Sequence, residues 1–230
     1  MSRRSSFGVC EACGARTGKA AMLAHLRKCL PATTGGVPSE ALLVRAQAPG
    51  APMFWLDCAV KPEAKLKELD RLLRRTWLEC CGQLSEFYGA GRRKISMSMR
   101  VGDALDSERN RLGYEYDFGS TTELVIGLSG VVAAGLGKPV RVVARNEPPV
   151  WPCDLCGQPA TMVCAQCVYE GRGFCCALHA KKHACGNDML LPVVNSPRMG
   201  VCGYTGEGEH ALAAVGAWCD REAPRLKRDR

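Results

Sequence analysis

The sequence lacks any apolar run of the ~18 residues that a membrane-spanning helix requires. The longest candidate, residues 125–137, is broken by small and polar residues. No apolar stretch follows the positively charged start Met1-Ser-Arg-Arg-Ser-Ser, so no secretory signal is expected. No repeat of 20–50 residues recurs, which excludes solenoids and propellers. Histidine is scarce, with four in 230 residues, whereas cysteine is abundant at fifteen. Without an export signal those cysteines do not read as a disulfide framework. In a reduced, cytoplasmic setting they read as metal ligands or buried thiols.

Three of the four histidines, His25, His179 and His183, fall inside the two dense cysteine clusters, and only His210 lies elsewhere. The formal net charge is +8 with every thiol neutral. A zinc ion held by three thiolates and an imidazole carries one negative charge. Three such sites would leave the chain at about +5, only mildly basic.

Five stretches are expected: a zinc finger at 1–30, a linker at 31–52, an α+β domain at 53–146, a two-zinc module at 147–191, and an extension with a charged tail at 192–230. Turn residues bracket the apolar segment 41–48 within the expected linker. In the middle stretch, residues 54–60 have the make-up of a strand. Leu66, Leu69, Leu72, Leu73, Trp77 and Cys80 then follow at helical spacing and predict one long amphipathic helix over 63–81. Residues 95–100, 114–118, 123–128 and 140–144 read as short strands. The fold class is α+β, a mostly antiparallel sheet packed on that one long helix.

Cys10-x2-Cys13-x11-His25-x3-Cys29 has tetrahedral zinc spacing. The first pair forms a knuckle whose turn is helped by Gly14. The second pair lies one helical turn apart, on one face. Some thirty residues cannot bury a core, so the metal is expected to supply this segment's folding energy. Cys153-x2-Cys156-x7-Cys164-x2-Cys167 precedes Cys175, Cys176, His179, His183 and Cys185. Eight ligands imply two ions. A cross-braced pairing is expected: Cys153, Cys156, Cys176 and His179 on one, and Cys164, Cys167, His183 and Cys185 on the other. Cys176 is preferred to Cys175 because Cys176-x2-His179 repeats the knuckle spacing. In all, about three zinc ions are expected.

Residues 10–29 resemble a single Cys-Cys-His-Cys zinc finger. The second cluster resembles a MYND or HIT-type finger or a B-box, with His179 in the sixth ligand place and one residue between His183 and Cys185 as departures. MYND-type fingers bind proteins rather than catalyse, and this resemblance implies a protein partner. Tyr114-Glu-Tyr-Asp-Phe-Gly119, following the leucine-rich helix and Leu84-Ser-Glu-Phe87, resembles the plasmid pRiA ORF-three-like family. That resemblance implies an α+β fold and a link to mobile elements. Ser120, Thr122 and Leu124 stand where that family has Asp, Trp and His.

The hexapeptide also alternates. Tyr114, Tyr116 and Phe118 are expected on one face, and Glu115 and Asp117 on the other as an acidic pair about 7 Å apart. Three functions follow. The first is a non-catalytic zinc protein that docks a protein partner. The second is a weak nucleic-acid binder using Arg3, Arg4, Arg16, Lys19, Arg27, Lys28, Arg225, Lys227 and Arg228. The third is an enzyme using Glu115 and Asp117, with Asp103 as a third acid. All eight positions of the second cluster are filled by protein ligands, which argues against a catalytic zinc there.

Overall fold

The computed structural model describes residues 6–33 and 37–206. His210 and the terminal cations Arg3, Arg4, Arg225, Lys227 and Arg228 lie outside the described residues. The chain divides into two units, Met1–Arg74 with Leu84–Pro149, and Arg75–Gln83 with Val150–Arg230. The fold is α+β, mostly antiparallel sheet with four α-helices among the described residues.

The first unit opens with β1 (Phe7–Cys10), β2 (Arg16–Gly18) and helix α1 (Lys19–Thr33). Strands β3 (Ser39–Gln47) and β4 (Trp55–Val60) precede helix α2 (Leu66–Leu73). Then come β5 (Ser85–Tyr88), β6 (Lys94–Ile95), helix α3 (Val101–Ser107), β7 (Arg111–Tyr116), β8 (Thr122–Ala134) and β9 (Val140–Asn146). All nine strands form one sheet in the order β2-β1-β9-β4-β3-β8-β7-β5-β6, and every pair is antiparallel.

Two expected boundaries are corrected here. Residues 31–52 are not a linker, because β3 pairs along its length with β4 on one side and β8 on the other. The apolar Ala41, Leu42, Leu43 and Val44 are buried, so their flanking Pro and Gly residues punctuate a strand rather than a tether. Nor is the first cluster a separate finger. β1 pairs with β9 in the register Gly8 with Asn146, Val9 with Arg145 and Cys10 with Ala144. Met22, Leu26 and Leu30 repeat along one face of α1 and are fully buried with Leu43, Trp55, Val132 and Val143. Each such side chain contributes about 1.5–3 kcal/mol on burial, so this segment shares a core.

The long helix over 63–81 is also corrected. The α-helix stops at Leu73, and Arg74–Leu78 continues as a wider π turn that keeps both Trp77 and Leu78 buried. The leucine spacing set the helix start, where the Lys65 N–H donates to Glu68 Oε2 at 2.8 Å. Buried Asp70 on this helix accepts from Ser85 Oγ at 2.6 Å and from the Tyr114 hydroxyl at 2.8 Å. The strand expected at 95–100 is reduced to Lys94–Ile95.

The second unit is built on β10 (Met162–Cys164), β11 (Phe174–Cys175), helix α4 (Ala177–Ala180) and β12 (Leu190–Pro192). The three strands form an antiparallel sheet in the order β11-β10-β12. Its apolar core is small: Val163, Ala165, Leu191 and Met199, with Trp151 stacked on Phe174 at 4.7 Å. Among the described residues, no helix is long and apolar enough to cross a membrane.

Candidate metal centres

Cys10, Cys13, His25 and Cys29 converge, each offering one ligand atom within 4.8 Å of the others. The end of β1 and the turn before β2 supply the first two. The Cys10 N–H donates to Ala15 O at 2.9 Å, and the Gly14 N–H closes back on Cys10 O at 2.8 Å. Helix α1 supplies His25 and Cys29 one turn apart. Cys10 Sγ stands 3.9 Å from Cys29 Sγ, and Cys13 Sγ 3.3 Å from His25 Nε2. Burial pushes the Cys10 thiol up to about 11, whereas the Ala15 N–H draws the Cys13 thiol down.

The second unit brings together two interleaved groups, Cys153, Cys156, Cys176 and His179, and Cys164, Cys167, His183 and Cys185. In the first, Cys156 Sγ lies 3.8 Å from Cys176 Sγ, and His179 Nδ1 lies 3.4 Å from Cys153 Sγ. In the second, Cys167 Sγ lies 3.6 Å from both Cys185 Sγ and His183 Nε2. Sulfurs on a tetrahedral ion with bonds of about 2.3 Å stand roughly 3.8 Å apart, so these spacings fit such an ion. Hydrogen bonds from the backbone N–H groups of Cys176, Leu155 and Cys156 hold the Cys153 thiol down to about 6. Thiolate, the form that binds metal, is favoured there.

Local structure fixes both groups. Asp154 Oδ2 accepts from the Gly173 and Phe174 N–H groups at 2.6 and 2.9 Å, tying the first knuckle to β11. Gly173 has φ +103°, and a Cβ there would stand 2.8 Å from Cys167 Cβ and 3.1 Å from Cys164 Cβ. Only glycine lets the chain pass between those cysteines. Cys176 stands at the N-terminal boundary of α4 and joins its group, whereas Cys175 does not; the Cys175 sulfur sits 3.7 Å from His183 Nδ1.

A fourth group, Cys80, Cys81 and Cys202, also lies within 4.8 Å and could hold an ion. Sequence reasoning placed Cys80 on the long helix and passed over the others. The available signal was a Gly after each of Cys81 and Cys202, as after Cys13, Cys156 and Cys185.

The acidic pair is not assembled. Glu115 is buried and accepts from Arg92 Nη2 at 2.6 Å. Asp117 lies past the end of β7 with φ +64°, and its Oδ1 accepts from the Gly119 and Ser120 N–H groups at 3.0 and 3.2 Å. That left-handed residue ends the alternation, so Phe118 is half exposed while Tyr114 and Tyr116 are buried. Neither acid belongs to a metal-holding group among the described residues. Asp103 sits in the first turn of α3, on a different element from either acid.

Three of the cations expected to meet phosphate have internal partners. Arg16 makes a two-point ion pair with Glu147 at 2.5 and 2.8 Å. Lys19 donates to Gln47 Oε1 and to Pro52 O, and Arg27 Nη2 to Ser129 O at 3.3 Å. Lys28 is exposed.

No family model and no curated protein matches this sequence. Among solved structures the chain is similar to a protein of unknown function from Methanosarcina mazei Go1, at 13% identity and a TM-score of 0.39, over 47% of this chain and 69% of that one. A likeness this distant carries no functional argument.

Proposed function

We propose that this is a non-catalytic zinc protein whose three four-ligand groups each hold a structural zinc ion, and whose second unit docks a protein partner. The carrying observation is the pairing of closed ligand sets with exposed apolar side chains on the same group. Leu155, inside the Cys153–Cys156 knuckle, is 73% exposed, and Leu178, between Cys176 and His179, is 65% exposed. A four-ligand site leaves an ion no open position for water. Its service is then to hold these leucines rigid at the surface, where large exposed apolar groups mark contact sites.

The resemblance to MYND-type fingers points the same way. The Tyr114–Gly119 resemblance to plasmid pRiA ORF-three-like proteins suggests that the partner belongs to a mobile element. Nucleic acid is the weaker reading, since Arg16, Lys19 and Arg27 are engaged internally. The test is co-purification of the tagged full chain against its Leu155→Ser/Leu178→Ser variant. A protein partner retained by the first and lost by the second, at equal zinc content, supports docking. Equal recovery by both overturns it.

A further inference from the structure

The thiols of Cys80, Cys81 and Cys202 come together across 121 residues of sequence, within the second unit. Cys81 Sγ stands 3.4 Å from Cys80 Sγ and 3.6 Å from Cys202 Sγ. The second matches the sulfur–sulfur separations of 3.6, 3.8 and 3.9 Å within the four-ligand groups, and the first is slightly shorter. We propose that these cysteines form a fourth metal site, in which three thiolates hold a thiophilic divalent cation such as zinc.

Three further observations support this. The first is backbone shape. Cys13, Cys156 and Cys185 are each followed by a left-handed glycine, Gly14 at φ +74°, Gly157 at +72° and Gly186 at +83°. Gly82 after Cys81, at +75°, and Gly203 after Cys202, at +66°, repeat that turn. Such a turn folds the next residues back over the sulfur. The Ala15 N–H bonds Cys13 in this way, and the Gln83 side chain approaches Cys81 Sγ at 3.5 Å.

The second is strain. Cys202 itself lies in the left-handed region at φ +49°, which disfavours a side chain. A non-glycine residue held there is a feature that clusters at functional sites.

The third is charge. Arg198 is fully buried, and its Nε and Nη2 approach Cys80 Sγ at 3.4 and 3.2 Å. Its backbone is anchored through Ser196, whose hydroxyl accepts from the Arg198 N–H at 2.9 Å and donates to Trp77 O at 2.6 Å. Two guanidinium N–H groups on one sulfur match a thiolate acceptor. Three thiolates, a divalent ion and one guanidinium sum to zero, whereas a monovalent ion would leave a buried negative charge. Arg198 is therefore a positioning residue for the centre, not a ligand.

The test is zinc content of the full chain, purified anaerobically without chelator, measured by elemental analysis. Cys81→Ser and Cys202→Ser should each lower the count by one equivalent relative to wild type; an unchanged count in both overturns the proposal. Because a variant can fail to fold, the unaltered chain supplies a second readout. Iodoacetamide should label Cys81 and Cys202 only after zinc is withdrawn. Equal labelling of both in the zinc-loaded chain, or a disulfide between them under these conditions, overturns it. Cys13→Ser, Cys156→Ser and Cys185→Ser score the four-ligand groups separately. Loss of ions in these alone removes the fourth site and leaves the three-zinc reading standing.

Discussion

His183 points Nε2 at the Cys167 sulfur, 3.6 Å away, and its Nδ1 lies 3.7 Å from the sulfur of Cys175. On the proposed assignment, Cys175 orients a ligand without being one. Outer partners of a ligating histidine typically affect metal affinity 10–100-fold. Cys175→Ala should keep the full zinc count but release one ion about 10-fold more readily to a competing chelator. Cys176→Ala should lose an equivalent outright. A full equivalent missing from Cys175→Ala would mean the two cysteines have been assigned the wrong way round.

Gly173→Ala should destabilise the second unit by roughly 1–3 kcal/mol. The added methyl meets the Cβ atoms of Cys167 and Cys164 at 2.8 and 3.1 Å in a left-handed backbone. Zinc release during a thermal melt reads this directly, and an unshifted release temperature would refute it.

Chelation should separate the two units. In the second, the apolar cluster beside the Cys/His groups is small, Val163, Ala165, Leu191 and Met199, so on the proposed reading ion binding is much of that region's folding energy. Limited proteolysis after chelation should cut within residues 150–206 and also within 75–83, which belong to the same unit. The nine-stranded sheet should persist. Cys164→Ser should reproduce this pattern without chelator, and uniform digestion of the whole chain would contradict it.

Lys19 gives a pH signature in the first unit. Burial, then repulsion from Arg45, draws its amine down to about 8 from 10.5. The unfolded chain therefore holds this proton up to higher pH than the folded chain does. Stability from this group rises with pH between about 8 and 10.5 and is constant below that window. Lys19→Met should flatten that rise in denaturant unfolding measured across the window. An unchanged slope would count against the burial.

Binding to duplex nucleic acid should be weak and insensitive to sequence, with log K falling against log salt at a slope near −3. Three or four phosphate contacts produce that slope. A titration at two salt concentrations with matched and scrambled duplexes checks it, and salt-resistant nanomolar binding would reverse the preference for a protein partner.

The convergence of these twelve Cys and His side chains was legible because knuckle spacing is local: Cys153 and Cys156, or His25 and Cys29, reach one point through a turn or a helix whatever surrounds them. The pairing of Phe7–Cys10 with Val140–Asn146 was not legible, since a four-residue strand carries no mark of a partner more than a hundred residues away. The same distance hid Cys202 from Cys81. The leucine period marked α2, but its switch to a π turn at Arg74 depends on which side chains must be buried further on. Asp117 defeated the alternation for a related reason. Its side chain bonds the next turn's N–H groups, and a polar residue at a strand end can leave the pleat that a purely apolar pattern would continue.

Helix α1 serves two masters: His25 and Cys29 face the ligand group, while Met22, Leu26 and Leu30 fill the sheet's core. A shortened chain starting at residue 37 would lose more than a metal. β9 would become an open sheet edge, and Leu43, Trp55 and Val143 would face water. Uncapped edges beside bare apolar faces drive self-association. The amino-terminal segment therefore acts as a solubility guard for the sheet, and cannot be trimmed away or transplanted as a free-standing tag.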